Sequence, residues 1–284
     1  MTVIDGNCTF RGRAVPRNAL VTGASQGLGM AIAEECASRG MNLFLVALPE
    51  SGLPRVAERI ESEWAVRADW LEIDLTRDDA PDLLLQAVRS SDFEVDLLVN
   101  NAGIGAIDTF AGAALADHDA VMTLNMLALA RTTHRLIPEL ERRDGASILN
   151  VSSLGAFFPM VSLPVYSATK SFVLTFSLAL REELHGSIRV GTLCPNTIRS
   201  GRATEEYVDR LPFVCRRACL TPSEVARSGI DGLLRGRAII VPGAINKLLR
   251  VLGPLVPRAL VTGVIRRLWG GFSQEAKDVV AASS

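Results

Sequence analysis

Short, nearly continuous apolar runs alternate along this chain with longer stretches in which apolar residues recur at helical spacing. The runs are Ala19–Thr22, Asn42–Ala47, Trp70–Asp74, Val95–Asn100, Ser147–Ser152, Ile188–Cys194 and Ala238–Val241. Each is dominated by Val, Ile, Leu or Ala, a pattern that predicts strands covered on both faces. Between them, Gly27–Arg39, Pro54–Ala65, Pro81–Arg89, Leu115–Arg142, Pro164–His185 and Pro222–Arg235 predict helices. Pro81 and Pro222 stand where a helix start tolerates proline, and Thr221 is placed to cap its helix. Strand and helix in alternation predict an α/β fold with a doubly wound parallel sheet, Rossmann-like, as a single domain over residues 18–241. In such a sheet a ligand lies beyond the carboxyl ends of the strands, at the switch point. Residues 1–17 then form an N-terminal extension, and 242–284 a helical C-terminal extension.

Composition narrows the function classes. The chain has 284 residues, of which 48% are hydrophobic, so it carries enough apolar surface for one substantial core. A formal net charge of −1 gives no bias toward nucleic acid. The five cysteines, Cys8, Cys36, Cys194, Cys215 and Cys219, are scattered without a CxxC pair and are read as reduced thiols of a cytoplasmic protein. His118, His134 and His185 form no HxxxH or HExxH pattern, so no metal site is expected. Asp5, Arg11 and Arg13 interrupt the N-terminus, which does not read as a signal peptide, and no apolar run reaches membrane-spanning length.

Leu20-Val21-Thr22-Gly23-Ala24-Ser25-Gln26-Gly27-Leu28-Gly29 follows a predicted strand and opens a helix. In that context Gly23 permits a tight turn. Gly27 lets backbone approach a pyrophosphate without an intervening Cβ, and Gly29 lets the helix lie close to the strand. The helix N-terminus supplies free N–H groups and a positive dipole end for phosphates.

Tyr166 and Lys170 are four residues apart and share a helix face. A nearby ammonium favours a phenolate, which suits tyrosine for passing a proton to or from a carbonyl oxygen. A surface i,i+4 pair is the competing reading. Ser153 tips the balance, since it ends a strand thirteen residues before Tyr166, where its hydroxyl can polarise a substrate oxygen. Asn100-Asn101-Ala102-Gly103 ends another strand with small residues that let backbone pass close to a cofactor. Asn125 lies within the apolar stretch Val121-Met122-Thr123-Leu124-Asn125-Met126-Leu127 and needs buried partners, either in the core or through a water near Lys170.

Taken together, Thr22-Gly23, Gly27-Leu28-Gly29, Asn100 to Gly103, Asn125, Ser153, Tyr166 and Lys170 resemble the short-chain dehydrogenase/reductase family, and Val241-Pro242-Gly243 with the basic, leucine-rich stretch that follows, ending near Trp269, resembles a subgroup that includes ketoacyl and hydroxysteroid reductases. The family likeness runs from about Asn18 to Val241. It implies that Tyr166 is the general acid/base, that Lys170 lowers its pKa and holds the nicotinamide ribose, that Ser153 orients the substrate oxygen and that Asn125 supports a proton-relay water. It implies cofactor contacts from Gly23, Ser25, Gln26, Gly27, Leu28 and Gly29, from Asp74 and Leu75 after the third strand, from Asn101, Ala102 and Gly103, from Tyr166 and Lys170, and from Pro195, Thr197 and Ile198. The implied activity is NAD- or NADP-dependent oxidoreduction of a CH–OH group or carbonyl. A non-catalytic dinucleotide-binding sensor is the reading from another class, and a dehydratase or epimerase is a third.

Two departures from the family pattern matter. Asn196 follows Pro195 where the family often has glycine, and the loop is expected to survive because asparagine tolerates turn conformations. At the end of the second strand, neither an acid at Ala47 nor an arginine at Leu48 is present, and Gln26 is not basic. The missing acid removes repulsion of a 2′-phosphate, and Ser51 or Arg55 is placed to contact one, so NADP is expected over NAD. Gly155-Ala156-Phe157-Phe158-Pro159-Met160-Val161 should wall an apolar substrate pocket. From Gly232 to Gln274 there is no acid, yet seven basic residues are interleaved with leucines. Residues 242–270 then serve as a lid, a dimer surface or a peripheral contact with a membrane surface. The long helices Leu115–Arg142 and Pro164–His185 resemble those through which relatives form homodimers or homotetramers.

Overall fold

In the computed structural model, residues 9–10, 13–105, 110–160, 163–200, 204–205, 208–209, 212–256 and 263 are described. A two-residue antiparallel pair, Thr9–Phe10 with Arg13–Ala14, precedes the main sheet. That sheet has seven strands: β1 (Asn18–Thr22), β2 (Asn42–Ala47), β3 (Ala68–Glu72), β4 (Leu97–Asn100), β5 (Ser147–Val151), β6 (Arg189–Leu193) and β7 (Ile239–Ile240). Their order is β3-β2-β1-β4-β5-β6-β7, and every neighbouring pair is parallel. The expected doubly wound sheet is present.

The continuous apolar runs serve both faces because successive side chains of a strand point opposite ways. Ala19, Val21, Leu43, Leu45, Leu97, Val99 and Leu149 enter one core. Leu20, Phe44, Val46, Leu98, Ile148 and Val190 enter the other. The first core is closed by α1 (Gly27–Ser38), α2 (Leu53–Trp64) and α8 (Pro222–Leu234). The second is closed by α3 (Ala80–Ser90), α5 (Leu129–Glu141) and α6 (Pro164–Glu183). Full burial of a Leu, Ile or Phe contributes roughly 1.5–3 kcal/mol. Packing of this kind outweighs the cost of Pro138 inside α5. The cap predicted for α8 is a full capping box. Thr221 Oγ1 accepts from Glu224 N at 3.3 Å, and Glu224 Oε2 accepts from Thr221 N at 2.9 Å.

Two predicted elements differ. Strand Trp70–Asp74 is displaced to Ala68–Glu72, because its partner β2 ends at Ala47, paired with Glu72. Asp74 therefore lies two residues beyond the strand. Helix Leu115–Arg142 is interrupted. α4 (Leu115–Met122) passes into a π-helical turn, Thr123–Ala128, before α5. C-terminal to the sheet, α7 (Phe213–Ala218) and α9 (Ala244–Leu252) complete the described elements, and α9 runs into a 3₁₀ turn at Gly253–Leu255. The second helix expected beyond Pro257, Val161 of the pocket wall and most of the N-terminal extension lie outside the described residues. No helix among the described residues is long and apolar enough to cross a membrane.

Candidate functional site

Strand order reverses between β1 and β4, so the chain segments leaving these two strands diverge and open a crevice. Thr22 ties its two sides together. Its Oγ1 accepts from the backbone N–H groups of Asn101 and Ala102, both at 3.0 Å, and donates to Val99 O at 3.2 Å. Asn101 Nδ2 donates to Thr22 O at 2.9 Å and Gly23 O at 3.2 Å.

The glycines of the turn divide three roles between them. Gly23 has φ +66°, and a Cβ there would come within 2.9 Å of Asn101 Nδ2. Gly29 admits no Cβ because one would run into the Gly23 carbonyl oxygen. The close approach at Gly29 is therefore to the turn itself more than to the strand. Gly27 has φ +57°, and the space where its Cβ would point is open. Gln26, at the N-cap of α1, makes no side-chain cap, and no acid occupies the first helical turn. Open space over a glycine at an uncapped helix N-terminus fits a pyrophosphate. Ser25 is half-buried, Gln26 exposed, and Leu28 packs against the first core. Leu75 is buried in the second core, which leaves its backbone alone for any cofactor contact. Asp74 Oδ1 accepts from Thr76 N at 2.9 Å and Thr76 Oγ1 at 2.7 Å.

The polar residues at the ends of β4, β5 and α6 converge deeper in the crevice. The Ser153 hydroxyl lies near enough to the Tyr166 phenol to act on its pKa, and Ser153 Oγ accepts from Gly155 N at 3.1 Å. Lys170 Nζ lies 5.7 Å from the centre of the Tyr166 ring and donates to Val151 O at 3.1 Å. Tyr166 is partly exposed as a residue, yet its surroundings desolvate the phenol. Burial pushes its pKa above the ordinary value, and the Ser153 hydroxyl pulls the other way. Lys170 is 6% exposed, and burial lowers its pKa to about 8, with a small opposing effect from Cys194. With a pKa of about 8, Lys170 has released its proton before a phenol of raised pKa ionises, so no ammonium stands beside Tyr166 in the range where it titrates, and the expected lowering is not seen.

Asn125 stands in the π-helical turn and is 1% exposed. Its Oδ1 accepts from Ile104 N at 2.9 Å, and its Nδ2 donates to Ile104 O at 3.0 Å and Thr169 Oγ1 at 3.1 Å. The protein thus satisfies this amide directly. A Cβ on Gly103 would meet Asn125 Oδ1 at 2.9 Å and Lys170 Nζ at 3.3 Å, so these two groups flank the same bare stretch of backbone. Asn100, by contrast, turns inward. Its Nδ2 donates to Thr133 Oγ1 and Asn150 Oδ1, both at 2.8 Å, and Asn150 Nδ2 donates to Ser177 Oγ at 2.9 Å. This buried chain links α5, β4, β5 and α6 beneath the site.

Sequence reasoning missed several supporting groups. Thr169 holds Asn125, and Ser152 Oγ donates to Lys170 O at 2.7 Å. Both are small hydroxyls adjoining named residues, which was the available signal. The substrate-side loop also divides differently from expectation. Met160 lies against Gly155 beside Ser153 Oγ, as its contact with the place of a Gly155 Cβ shows. Phe157 and Phe158 are turned into a separate cluster with Leu154, Leu174, Cys194 and Val241. Cys36, Cys194, Cys215 and Cys219 are free thiols.

Comparison with known proteins agrees with this arrangement. A family model described as short chain dehydrogenase matches residues 17–210. A very-long-chain 3-oxoacyl-CoA reductase of Rattus norvegicus is 33% identical over 182 residues, covering 63% of this chain and 58% of its own length. The chain therefore spans little more than half the length of that relative. Among solved structures, a bulky-bulky ketone specific alcohol dehydrogenase from Comamonas testosteroni superposes with TM-score 0.70 at 29% identity, covering 85% of this chain and 93% of its own. A short-chain dehydrogenase from Sphingobium yanoikuyae in complex with NADPH gives 0.73 at 28%, covering 87% and 95%.

Proposed function

The chain belongs to the short-chain dehydrogenase family, and from that premise we propose that it is an oxidoreductase acting with NAD or NADP on the carbonyl or secondary alcohol of a small apolar substrate. The observation that carries this reading is the convergence of Ser153, Tyr166 and Lys170: a serine hydroxyl that acts on the phenol and a buried lysine 5.7 Å from the phenol ring. The bound dinucleotide supplies or accepts the hydride. Ser153 Oγ holds the substrate oxygen. In reduction Tyr166 gives its phenolic proton to that oxygen, and in oxidation it takes the proton back. Lys170, at about pKa 8, exchanges protons near neutral pH and restores the phenol. Asn125, with Thr169 and Ile104, fixes the backbone beside Lys170, which would hold the nicotinamide ribose. A pure sensor needs none of this proton machinery. Purified protein with NADPH and a panel of ketones tests the reading. Tyr166→Phe is expected to lose turnover by about 10²–10⁴-fold while binding NADPH as before, on the general acid/base scale; retained turnover refutes the assignment.

NADP is the cofactor this strand end favours. Ala47 offers no carboxylate, and Leu48 is 57% exposed beside it. Ser51 Oγ is buried without a hydrogen-bond partner, and Arg55 is exposed on the first turn of α2. These groups suit a 2′-phosphate. A kcat/KM higher with NADH than with NADPH overturns this preference. Met160 beside Ser153 favours an apolar substituent on the substrate.

The C-terminal helix supports a membrane partner over a simple lid. Asn246 is its one buried residue, while Leu248, Leu249, Val251 and Leu252 are all exposed on its outer side. With no acid and seven basic residues between Gly232 and Gln274, this face suits an anionic lipid surface. Pure protein should sediment with phosphatidylglycerol-containing vesicles at low salt and be released at high salt. No binding, or loss of a protein dimer on Leu248→Glu, overturns it. Self-association is proposed through the exposed apolar residues Leu127 and Phe172 on the outer helices, with light scattering as its check.

A further inference from the structure

The loop leaving β6 carries the departure from family pattern at Asn196, and its conformation there is not the expected one. Among the described residues, the non-glycine positions with positive φ are Glu50, Ala65 and Asp92. Asn196 thus occupies no left-handed turn, and tolerance of such turns does not explain its presence. Its side chain does. Asn196 Oδ1 accepts from Thr197 N at 2.9 Å, and its Nδ2 donates to Asn246 Oδ1 at 3.0 Å across fifty residues of sequence.

Asn246 is itself a junction. It is 1% exposed in α9, and its Nδ2 donates to Ala218 O at 2.8 Å and Pro242 O at 2.9 Å. One carboxamide therefore joins the end of α7, the turn after β7, helix α9 and the loop after β6. The same loop is engaged from the catalytic side, where Leu154 N donates to Pro195 O at 2.7 Å, one residue after Ser153. It is engaged again beyond Thr197, where Ile198 bridges Leu220 and Arg199 N donates to Leu220 O at 3.0 Å. α9 also presses on the substrate-side loop. Arg250 lies 5.5 Å over the Phe157 ring, and a Cβ at Gly253 would run into the Phe158 ring. A glycine at 196 could not make the link to α9.

We propose that Asn196 and Asn246 act as a positioning pair through which α9 holds the Pro195–Ile198 loop against the nicotinamide side of the site. The pair touches no reacting atom. It fixes how the loop presents the cofactor to Ser153 and Tyr166, and it makes the seating of α9 a determinant of hydride transfer. This rests on the oxidoreductase reading above.

The test is single-turnover oxidation of bound NADPH by an accepted ketone, with wild type, Asn196→Ala, Asn246→Ala and the double variant. Each single variant is expected to slow the hydride step about fivefold, the worth of one neutral hydrogen bond, more than it raises KM for NADPH. The double variant should be no slower than the slower single variant, because both remove the same link. Asn196 is half-buried on a loop, so its alanine variant should fold, and its hydride rate measured well below its melting temperature decides the matter even where Asn246→Ala folds poorly. Wild-type hydride rates in Asn196→Ala, or losses that multiply to about twenty-fivefold in the double variant, overturn the pair. Failure of wild type to oxidise NADPH with any ketone instead overturns the oxidoreductase reading, and the pair falls with it.

Discussion

Replacing Lys170 with methionine should make the protein more stable and inactive at once. The lysine is 6% exposed, and burial lowers its pKa to about 8. An unfolded lysine titrates near ~10.4. Holding the charged form in the fold at pH 7 therefore costs roughly 3 kcal/mol. Methionine removes that cost and fills much of the same space. It also leaves Val151 O without the 3.1 Å bond from Nζ, a loss of about 1 kcal/mol. The net expectation at pH 7 is a gain of about 2 kcal/mol in urea unfolding.

The pH dependence gives the sharper check. Between about 8 and 10.4 the unfolded lysine still holds its proton and the folded one has released it. The unfolded state binds more protons there, so wild-type stability rises with pH across that window. Below about 8 the full cost is present. The advantage of Lys170→Met should thus be complete at pH 7 and nearly gone by pH 10. Comparing the two proteins at each pH cancels the buried thiol Cys36, pushed up to about 12, whose burial destabilises the fold at alkaline pH. A variant no more stable than wild type at pH 7, or one whose advantage persists at pH 10, refutes the account of Lys170 as a buried, costly cation kept for chemistry.

Three further outcomes follow from the geometry. Gly29→Ala should lose at least ~2 kcal/mol, as overpacking does, together with NADPH binding, since its Cβ collides with the Gly23 carbonyl; thermal melting and fluorescence titration report both. Asn100→Ala leaves the buried acceptors Thr133 Oγ1 and Asn150 Oδ1 without their donor and should cost about 2–3 kcal/mol in urea, with NADPH affinity little changed. Ala47→Asp places a carboxylate at the end of β2, and the ratio of kcat/KM for NADH to that for NADPH should rise at least ~10-fold, because the acid repels a 2′-phosphate and binds a ribose hydroxyl.

What the sequence disclosed depends on whether a residue's role is set by its neighbours in the chain or by partners far away. β2 was legible to the residue because its apolar run and its pairing coincide, whereas β3 shifted by two residues because Ala47 of its partner, not its own pattern, ends it. Gly23, Gly27 and Gly29 were legible because a tight turn makes local demands, and Ser153, Tyr166 and Lys170 because a strand end and a helix face meet at a predictable place. The π-helical turn at Thr123–Ala128 leaves no local mark, since it serves to turn Asn125 toward Ile104 and Thr169. α9 shows the limit most clearly. The leucines that its sequence interleaves with basic residues are exposed, and Asn246, which no pattern singled out, is buried. A helix packs that way when a specific polar junction, here with Asn196, Ala218 and Pro242, fixes its orientation and when its apolar face has another surface to meet. The same helix therefore joins the site to whatever covers its outer side, and the Asn196 to Asn246 link is where docking and hydride transfer should prove coupled.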